Sequence, residues 1–348
     1  MEFYIVKVLF FSALAFLFAM LTTPLLTHFL YKYKLGKQIR NNGQTPIFTQ
    51  LHAHKAGTPT MGGILIWGTV LLFALGFYFL PMIFPSSLLA HLNFLSRTET
   101  LLPLGVLVAT ALIGLFDDWL DVKGKGVFGG GGLKMRHRLI IYTLIALIGA
   151  LWFYFKLDWT VFSVPFLGNF QIGAWYIPIF IFVIVATSFS VNETDGLDGL
   201  APGTLLIAFA AYGVIAFSLG RYELATFCGV IIGALLAFLW FNIPPARFYL
   251  GDTGAMSLGV TLGVIALLTN NSLLLIPIGL IFLIESSSVI IQFLSKRLRG
   301  KKVFLSSPVH QHYQARGWPE AKVVMRFWVV AAMGTMIGLI IFLLDRKF

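Results

Sequence analysis

Two adjacent aspartates, Asp117 and Asp118, close an apolar stretch in GLFDDWLDV, with Asp121 following three residues later. A second segment, SVNETDGLDGLAPG, spaces Asn192, Asp195 and Asp198 by three, so on a helical turn they project to similar sides. A third, WFNIPPARFYLGDTGAMSLG, sets Asp252 just before an apolar stretch and carries Asn242, Arg247 and Tyr249 beside it. Each has an ordinary explanation. Asp117 and Asp118 read as a solvated helix end, Asn192–Asp198 as a polar turn, and Asp252 as a helix N-cap. Taken together they describe chemistry. Mg²⁺ takes hard oxygen ligands, usually one or two carboxylates plus substrate phosphates. Phosphoryl transfer is catalysed by positioning and by charge neutralisation from metal and cations. Carboxylates on several segments mixed with Lys55, Lys125, Lys134, Arg136 and Arg138 suit a metal-bound diphosphate.

Other chemistries fit less well. No cysteine cluster or HExxH marks a zinc site, and the glycine run 129–132 lacks the Gly-Lys-Ser/Thr of a P-loop. The single cysteine, Cys228, lies in an apolar segment and reads as packing. In SSPVHQHYQARGWPE, His310 and His312 stand two apart beside Arg316 and Trp318. Paired histidines ligate metals, hydrogen-bond sugars or phosphates, or cap loops; a basic aromatic segment points to handling a polar substrate rather than to ligation.

The elements that must position these groups are apolar helices. Of 348 residues, 58% are hydrophobic and 11% charged, against roughly a quarter charged in a soluble domain. Apolar stretches long enough to span a bilayer recur along the chain. The pattern predicts an all-α, polytopic integral membrane protein with ten spans at about 5–31, 61–80, 100–116, 137–156, 174–191, 203–219, 223–241, 255–269, 273–294 and 324–344. The first is too long for the apolar core of a secretory signal and is followed by no small-residue cleavage site. One transmembrane domain, 1–348, follows, with active-site loops at about 32–60, 117–136, 192–202, 242–254 and 295–323. Those loops, with Arg138 and Arg326, hold 19 of the 25 Lys and Arg residues. The asymmetry places them in the cytoplasm and both termini outside it. The net charge of +11 is accounted for by these flanking cations, so no nucleic-acid partner is implied. Eight of the 14 Asp and Glu share the basic face. Positive-inside sorting barely depends on acids, so that clustering calls for a function.

At these residues the chain resembles the phospho-N-acetylmuramoyl-pentapeptide transferase (MraY translocase) family, within the polyprenyl-phosphate N-acetylhexosamine 1-phosphate transferase superfamily. The similar segments are HAHKAGTPTMGG at 52–63, GLFDDWLDV at 114–122, NETDGLDGLA at 192–201, FNIPPARFYLGDTGAMSLG at 241–259 and PVHQHYQARGWPE at 308–320. The resemblance implies transfer of phospho-MurNAc-pentapeptide from UDP-MurNAc-pentapeptide to undecaprenyl phosphate, giving lipid I and UMP, in the bacterial inner membrane with the site facing the cytoplasm. It implies Mg²⁺ as cofactor, a membrane lipid as partner and a homodimer as a candidate assembly. Carried over by motif, Asp252 would hold Mg²⁺, and Asp117 and Asp118 would serve the lipid phosphate, these three forming the catalytic set. Asn192, Asp195 and Asp198 would line the diphosphate and nucleotide region, Asn242 and Tyr249 would lie near the uridine, and Lys55, Thr60, His310 and His312 would complete the substrate cleft.

Two departures from the family pattern are Gln311, where three consecutive histidines are usual, and Glu193, where an apolar residue is common. The alternatives are a sister transferase using another UDP-N-acetylhexosamine, against which the histidine segment and GTPTMGG argue, and an ion-coupled transporter. A transporter would place ionisable groups near the bilayer midplane, often with inverted repeats; here the acids gather at span ends and no repeat appears.

Overall fold

Uninterrupted apolar sequence in a bilayer must satisfy its backbone internally, and the helix does so within one segment. The computed structural model describes residues 1–36, 55, 57–84, 86–96, 99–124 and 132–346. Its helices are α1 (Glu2–Lys32), α2 (Ile64–Ile83), the short α3 (Ser87–Leu92), α4 (Leu101–Val122), α5 (Met135–Lys156), α6 (Tyr176–Thr194), α7 (Leu200–Ser218), α8 (Tyr222–Asn242), α9 (Gly251–Leu268), the short α10 (Leu275–Ile278), α11 (Leu280–Arg299), α12 (Val309–Ala315) and α13 (Glu320–Asp345). One antiparallel hairpin, β1 (Val161–Val164) and β2 (Gly168–Gln171), joins α5 to α6.

Among the described residues, nine helices are long and apolar enough to cross a membrane, and the pair Ser272–Ile278 and Leu280–Arg299 makes a tenth, bent by 85°. The ninth expected span is therefore broken. Pro277 cannot donate to the helical ladder, and the Gly279 amide closes the short α10 by donating to Leu275 O. The polar-end helices also run further than hydropathy indicates. α4 continues through Asp117, Asp118 and Asp121, α6 through Asn192, and α9 begins before Asp252. The acids expected in loops at 117–122 and 251–254 thus sit on rigid helix ends. Lys125 and the glycines at 129–131, with all of 37–54, lie outside the described residues.

α9 is the centre of the bundle. The apolar window of this helix is 94% buried, against 22% for α1. It packs on α4 and α6, while α8 sits between α1 and α7. The outer helices present large apolar side chains outward, such as Leu21, Ile148 and Phe182; no water-soluble surface would carry so continuous an apolar belt.

The two ends of the bundle differ in kind. At one end Tyr4 of α1 stacks on Tyr222, Arg221 lies over Trp159, Arg346 donates to Ser218 O, and the Phe166 amide of the hairpin turn donates to Asp345. Buried Lys7 belongs to this end too, its ammonium donating to His91 O and Asn93 O at 2.8 Å each. At the other end, where α1 finishes, Tyr31 donates to Arg247 O and Thr60 N to Leu35 O. The described start of α1 and end of α13 both lie at the end opposite the aspartates.

The contact of α4 with α9 is made close by Gly114, whose α-carbon faces the backbone of Asp252. A Cβ built there would lie 2.4 Å from Asp252 O. Gly114→Val should push the two helices apart, lowering the thermal midpoint by an amount equivalent to about 1–3 kcal/mol, typical of overpacking. A melting curve of the purified variant matching the unsubstituted protein would show that the contact is not close-packed.

Candidate active site

The start of α9 leaves amide N–H groups without helical partners. Asp252 does not cap its own helix, as the local sequence suggested. The cap comes from α4. Asp118 Oδ1 accepts from Asp252 N and from the Thr60 hydroxyl, both at 3.1 Å, and Asp118 Oδ2 accepts from Thr253 N at 3.0 Å. Gly251 has φ +74°, and a Cβ there would lie 2.5 Å from Asp118 Oδ2. Only glycine adopts that backbone without strain while admitting the carboxylate. The turn at Met61–Gly63 locks the same region, with Gly62 N and Gly63 N donating to Tyr249 O and Leu250 O at 2.8 Å.

Freed from capping, the Asp252 carboxylate enters a polar ring. Its Oδ1 accepts from Asn192 Nδ2 at 2.7 Å and its Oδ2 from Arg138 Nη2 at 2.6 Å. Arg138 Nη1 donates to Asn192 Oδ1 at 2.9 Å. The same guanidinium pairs with Asp117 Oδ2 at 2.9 Å, a charge contact without hydrogen-bond alignment. Four helices (α4, α5, α6 and α9) thus deliver one side chain each. Asp117 Oδ1 also accepts the Leu133 amide, and Asp121 Oδ1 the Gly132 amide at 3.2 Å. Acids at a helix C-terminus oppose the macrodipole; here the guanidinium and two amides offset that cost, and in doing so they set the entry to α5.

A second cluster lies beside the first. Lys55 Nζ is 2.7 Å from Asp198 Oδ1 and 2.5 Å from Glu320 Oε1. Glu320 Oε1 accepts Asp198 N at 2.7 Å, and Asp198 Oδ2 accepts Ala246 N at 3.0 Å. Asn242, buried, receives Gly199 N at 2.9 Å and donates to Phe248 O at 2.8 Å, joining the turn after α6 to the segment before α9. The Tyr249 hydroxyl faces Lys55 O at 3.4 Å. Burial pushes the Tyr249 phenol up to about 12; a Thr58 hydrogen bond opposes this and Asp198, Glu320 and Asp195 add to it. It is a neutral donor at any ordinary pH.

The expectation that Asn192, Asp195 and Asp198 share a helical face is corrected by the fold. α6 ends at Thr194, Asp195 is its C-cap with ψ +58°, and the following turn swings Asp198 away. Asn192 therefore serves the Asp252 ring and Asp198 the Lys55 cluster, while Asp195 lies half-buried between them. The two histidines also part company, because residues two apart on a helix point to different sides. His310 is buried, its Nδ1 3.0 Å from Glu285 Oε2. His312 is nearer the surface and accepts the Leu305 amide on Nδ1 at 3.2 Å. Gln311 Oε1 accepts the Ser306 hydroxyl at 2.8 Å, bracing the segment before α12.

Arg138, Glu320 and Glu285 hold positions that sequence reading did not assign to the site. Arg138 was one of several cations, and only the fold brings it to Asp252. Glu285 carried a signal, since a lone acid inside an apolar span is seldom idle. Glu320 lies in GWPE, within a segment already singled out.

Among the described residues no three His, Cys, Asp or Glu come close enough to cage a metal. Mg²⁺ needs only one or two carboxylates and fills its shell with water and phosphate. The donors around Arg138 are hard oxygens, from Asp252, Asp117 and Asn192, and they already surround one cation. The residues fit the ion.

Among the described residues, a bundle of nine helices and one bent pair long and apolar enough to cross a membrane, with acids and basic groups gathered at one end, defines a polytopic membrane protein with a polar site at that end. Residues 100–270 match the model of glycosyl transferase family 4, and residues 55–66 match the phospho-N-acetylmuramoyl-pentapeptide-transferase signature 1. The chain is 40% identical over 334 residues to the phospho-N-acetylmuramoyl-pentapeptide-transferase of a Geobacillus species, covering 94% of this chain and 95% of that one. It is 37% identical over 346 residues to the protein of that name from Chloroflexus aggregans, covering 96% and 89%. With the one from Desulforapulum autotrophicum it shares 37% identity over 345 residues, 93% and 89% covered. The chain belongs to the phospho-N-acetylmuramoyl-pentapeptide-transferase family.

Two outcomes follow from the site's geometry. Asp118→Ala should destabilise the protein by about 1–3 kcal/mol for each buried amide left unpaired, read as a lowered thermal midpoint, and Asp118→Asn should recover part of the loss. Burial, then Arg316, hold the His312 imidazole below the ordinary histidine value. Its unfolded value is about 6.5, so the neutral ring's contribution is present above that pH and lost as pH falls through the folded value. Stability should therefore drop on acidification below about 6.5, and His312→Asn should flatten that drop; equal slopes in melts across pH would refute it.

Proposed function

We propose that this chain transfers phospho-MurNAc-pentapeptide from UDP-MurNAc-pentapeptide to undecaprenyl phosphate, forming lipid I and UMP for peptidoglycan synthesis. The observation that carries the reading is the convergence of Asp117, Asn192 and Asp252 on Arg138, beside the Lys55–Asp198–Glu320 cluster, at the end of a membrane bundle. An oxygen of the lipid phosphate bonds to the sugar-linked phosphorus, the bond from that phosphorus to the bridging oxygen breaks, and UMP leaves with that oxygen. Asp252 would hold Mg²⁺, which when bound would supply neutralisation of the diphosphate charge.

The chain's own groups do the rest. Lys55, released from Asp198 and Glu320, offers three donors to phosphate oxygens. Asn192 orients Asp252 through its amide. Asp117 is the carboxylate for the lipid phosphate: it lies in the last two turns of α4, and Phe116 and Trp119 on that helix are exposed to the apolar surroundings. Asn242 and Tyr249 shape the nucleotide end, and His310 and His312 frame the segment that meets the sugar and peptide. The basic end of the bundle faces the cytoplasm of a bacterial inner membrane, and both termini lie outside it.

Purified protein given UDP-MurNAc-pentapeptide and polyprenyl phosphate should release UMP and form the lipid product, and chelation of Mg²⁺ should stop it. A UDP-N-acetylglucosamine substrate used equally well would favour the sister-transferase reading. Asp252→Asn should lower turnover by at least about a hundredfold while the protein stays folded, as expected when a metal-binding charge is lost; unchanged rate and Mg²⁺ dependence would remove Asp252 from the metal. Asp117→Asn should depress turnover far more than nucleotide-substrate affinity. Equal losses in both would assign Asp117 to the nucleotide pocket instead. A tag after Phe348 should be labelled from outside intact spheroplasts; labelling only from the cytoplasmic side would overturn the orientation.

A further inference from the structure

The cation shared by the polar ring is a side chain, and it engages the same oxygens that a metal on Asp252 would use. Asp252 Oδ2 is 2.6 Å from Arg138 Nη2, and its Oδ1 is 2.7 Å from Asn192 Nδ2, so both oxygens are already engaged. Asp117 Oδ2, fully buried, has the same guanidinium at 2.9 Å. A buried carboxylate, Asp117, and a part-buried one, Asp252, on neighbouring helices repel each other and favour a counter-charge between them. Among the described residues Arg138 supplies it.

Mg²⁺ binds carboxylate oxygen at about 2.0–2.1 Å with octahedral surroundings. A guanidinium nitrogen hydrogen-bonded to that carboxylate would lie beside the ion, two positive charges in a poorly screened place. The arginine fork also has a donor in reserve: Arg138 Nε is buried and has no hydrogen-bond partner among the described residues. A planar fork with a spare N–H matches phosphate oxygens two at a time.

We infer that Arg138 is an exchangeable internal counter-cation, neutralising Asp117 and Asp252 until a divalent ion takes Asp252, and then turning to the phosphates of the nucleotide-sugar diphosphate. The inference rests on Asp252 as the metal ligand. It makes metal and diphosphate binding mutually reinforcing, because each relieves what the other disturbs, and that coupling is reciprocal. Without diphosphate, the metal competes with Arg138 for Asp252. With diphosphate, the guanidinium has somewhere to go.

The test is Mn²⁺ binding to the purified full chain in lipid nanodiscs, followed by electron paramagnetic resonance without lipid acceptor, so that nothing turns over. The unsubstituted protein should bind Mn²⁺ weakly alone and more tightly once UDP-MurNAc-pentapeptide is added. Arg138→Gln should bind Mn²⁺ about tenfold tighter or more without substrate, as removal of a nearby positive charge requires, and should gain little from substrate. Asp252→Asn should lose this Mn²⁺ binding in either background. Arg138→Gln binding no tighter than the unsubstituted protein, with Asp252→Asn still defective, would overturn the counter-cation and leave the metal assignment standing. Asp252→Asn binding normally would overturn the metal assignment itself. Where the Gln variant does not fold, Arg138→Met decides: it removes the charge and keeps most of the volume, so tighter Mn²⁺ binding than the unsubstituted protein supports the exchange and equal or weaker binding refutes it.

Discussion

A carboxylate on one helix accepts the first amides of another, and the geometry of the polar end hangs on that contact. By taking the amides of Asp252 and Thr253, Asp118 fixes where α9 begins. The Thr60 hydroxyl on the same carboxylate ties in the segment leading to α2. Gly114 and Gly251 permit the approach, since any side chain at either would strike backbone or carboxylate. A buried acceptor satisfied by three donors is rigid, and a displaced donor would face a large desolvation cost. Asp252 therefore leaves a fixed point on a fixed helix, which is what a group that must meet a phosphate within fractions of an ångström needs.

The charges at this end are balanced within a short radius. Arg138 serves Asp117 and Asp252, and Lys55 serves Asp198 and Glu320. Each cation holds two acids, so each cluster keeps a surplus of negative charge that a divalent ion or additional cations can answer. The pairing also explains why acids gather at helix ends rather than mid-span. At the ends, neighbouring amides such as Leu133 N and Ala246 N are free to donate, whereas inside a helix they are consumed by the ladder.

The span count, the basic face and the clustering of acids were legible in the sequence because hydropathy and charge act over whole segments. That Asp252 lies among the polar groups at a span end was also legible, although its neighbours were not. Spacing by three suggested that Asn192, Asp195 and Asp198 act together, yet the helix ends at Thr194 and divides them. Periodicity cannot reveal where a helix stops when the stop is set by contacts with other helices, here Asn242 holding Gly199 N. Arg138 could be named only as one of a group of cations, for the same reason. Several cations precede the fourth span, and only the angle at which α5 leaves the Gly132–Leu133 turn selects one of them. The break at Gly279 could have been suspected from Pro277, but a proline within an apolar span is often tolerated and gives no angle.

Glu193 joins regions that the sequence left separate. It sits on α6 one residue after Asn192 and within electrostatic reach of His310, Arg138, Glu285 and Asp252. His310 in turn is held by Glu285 from α11, with Glu285 Oε1 and His310 Nε2 left without hydrogen-bond partners among the described residues. The segment carrying the histidines therefore docks on a buried carboxylate inside a span, not on the surface of the bundle. Glu193 therefore lies between the Asp252 ring and the histidine segment, where the field between groups withdrawn from water is poorly screened. Glu193 stands at a position where the family commonly has an apolar residue.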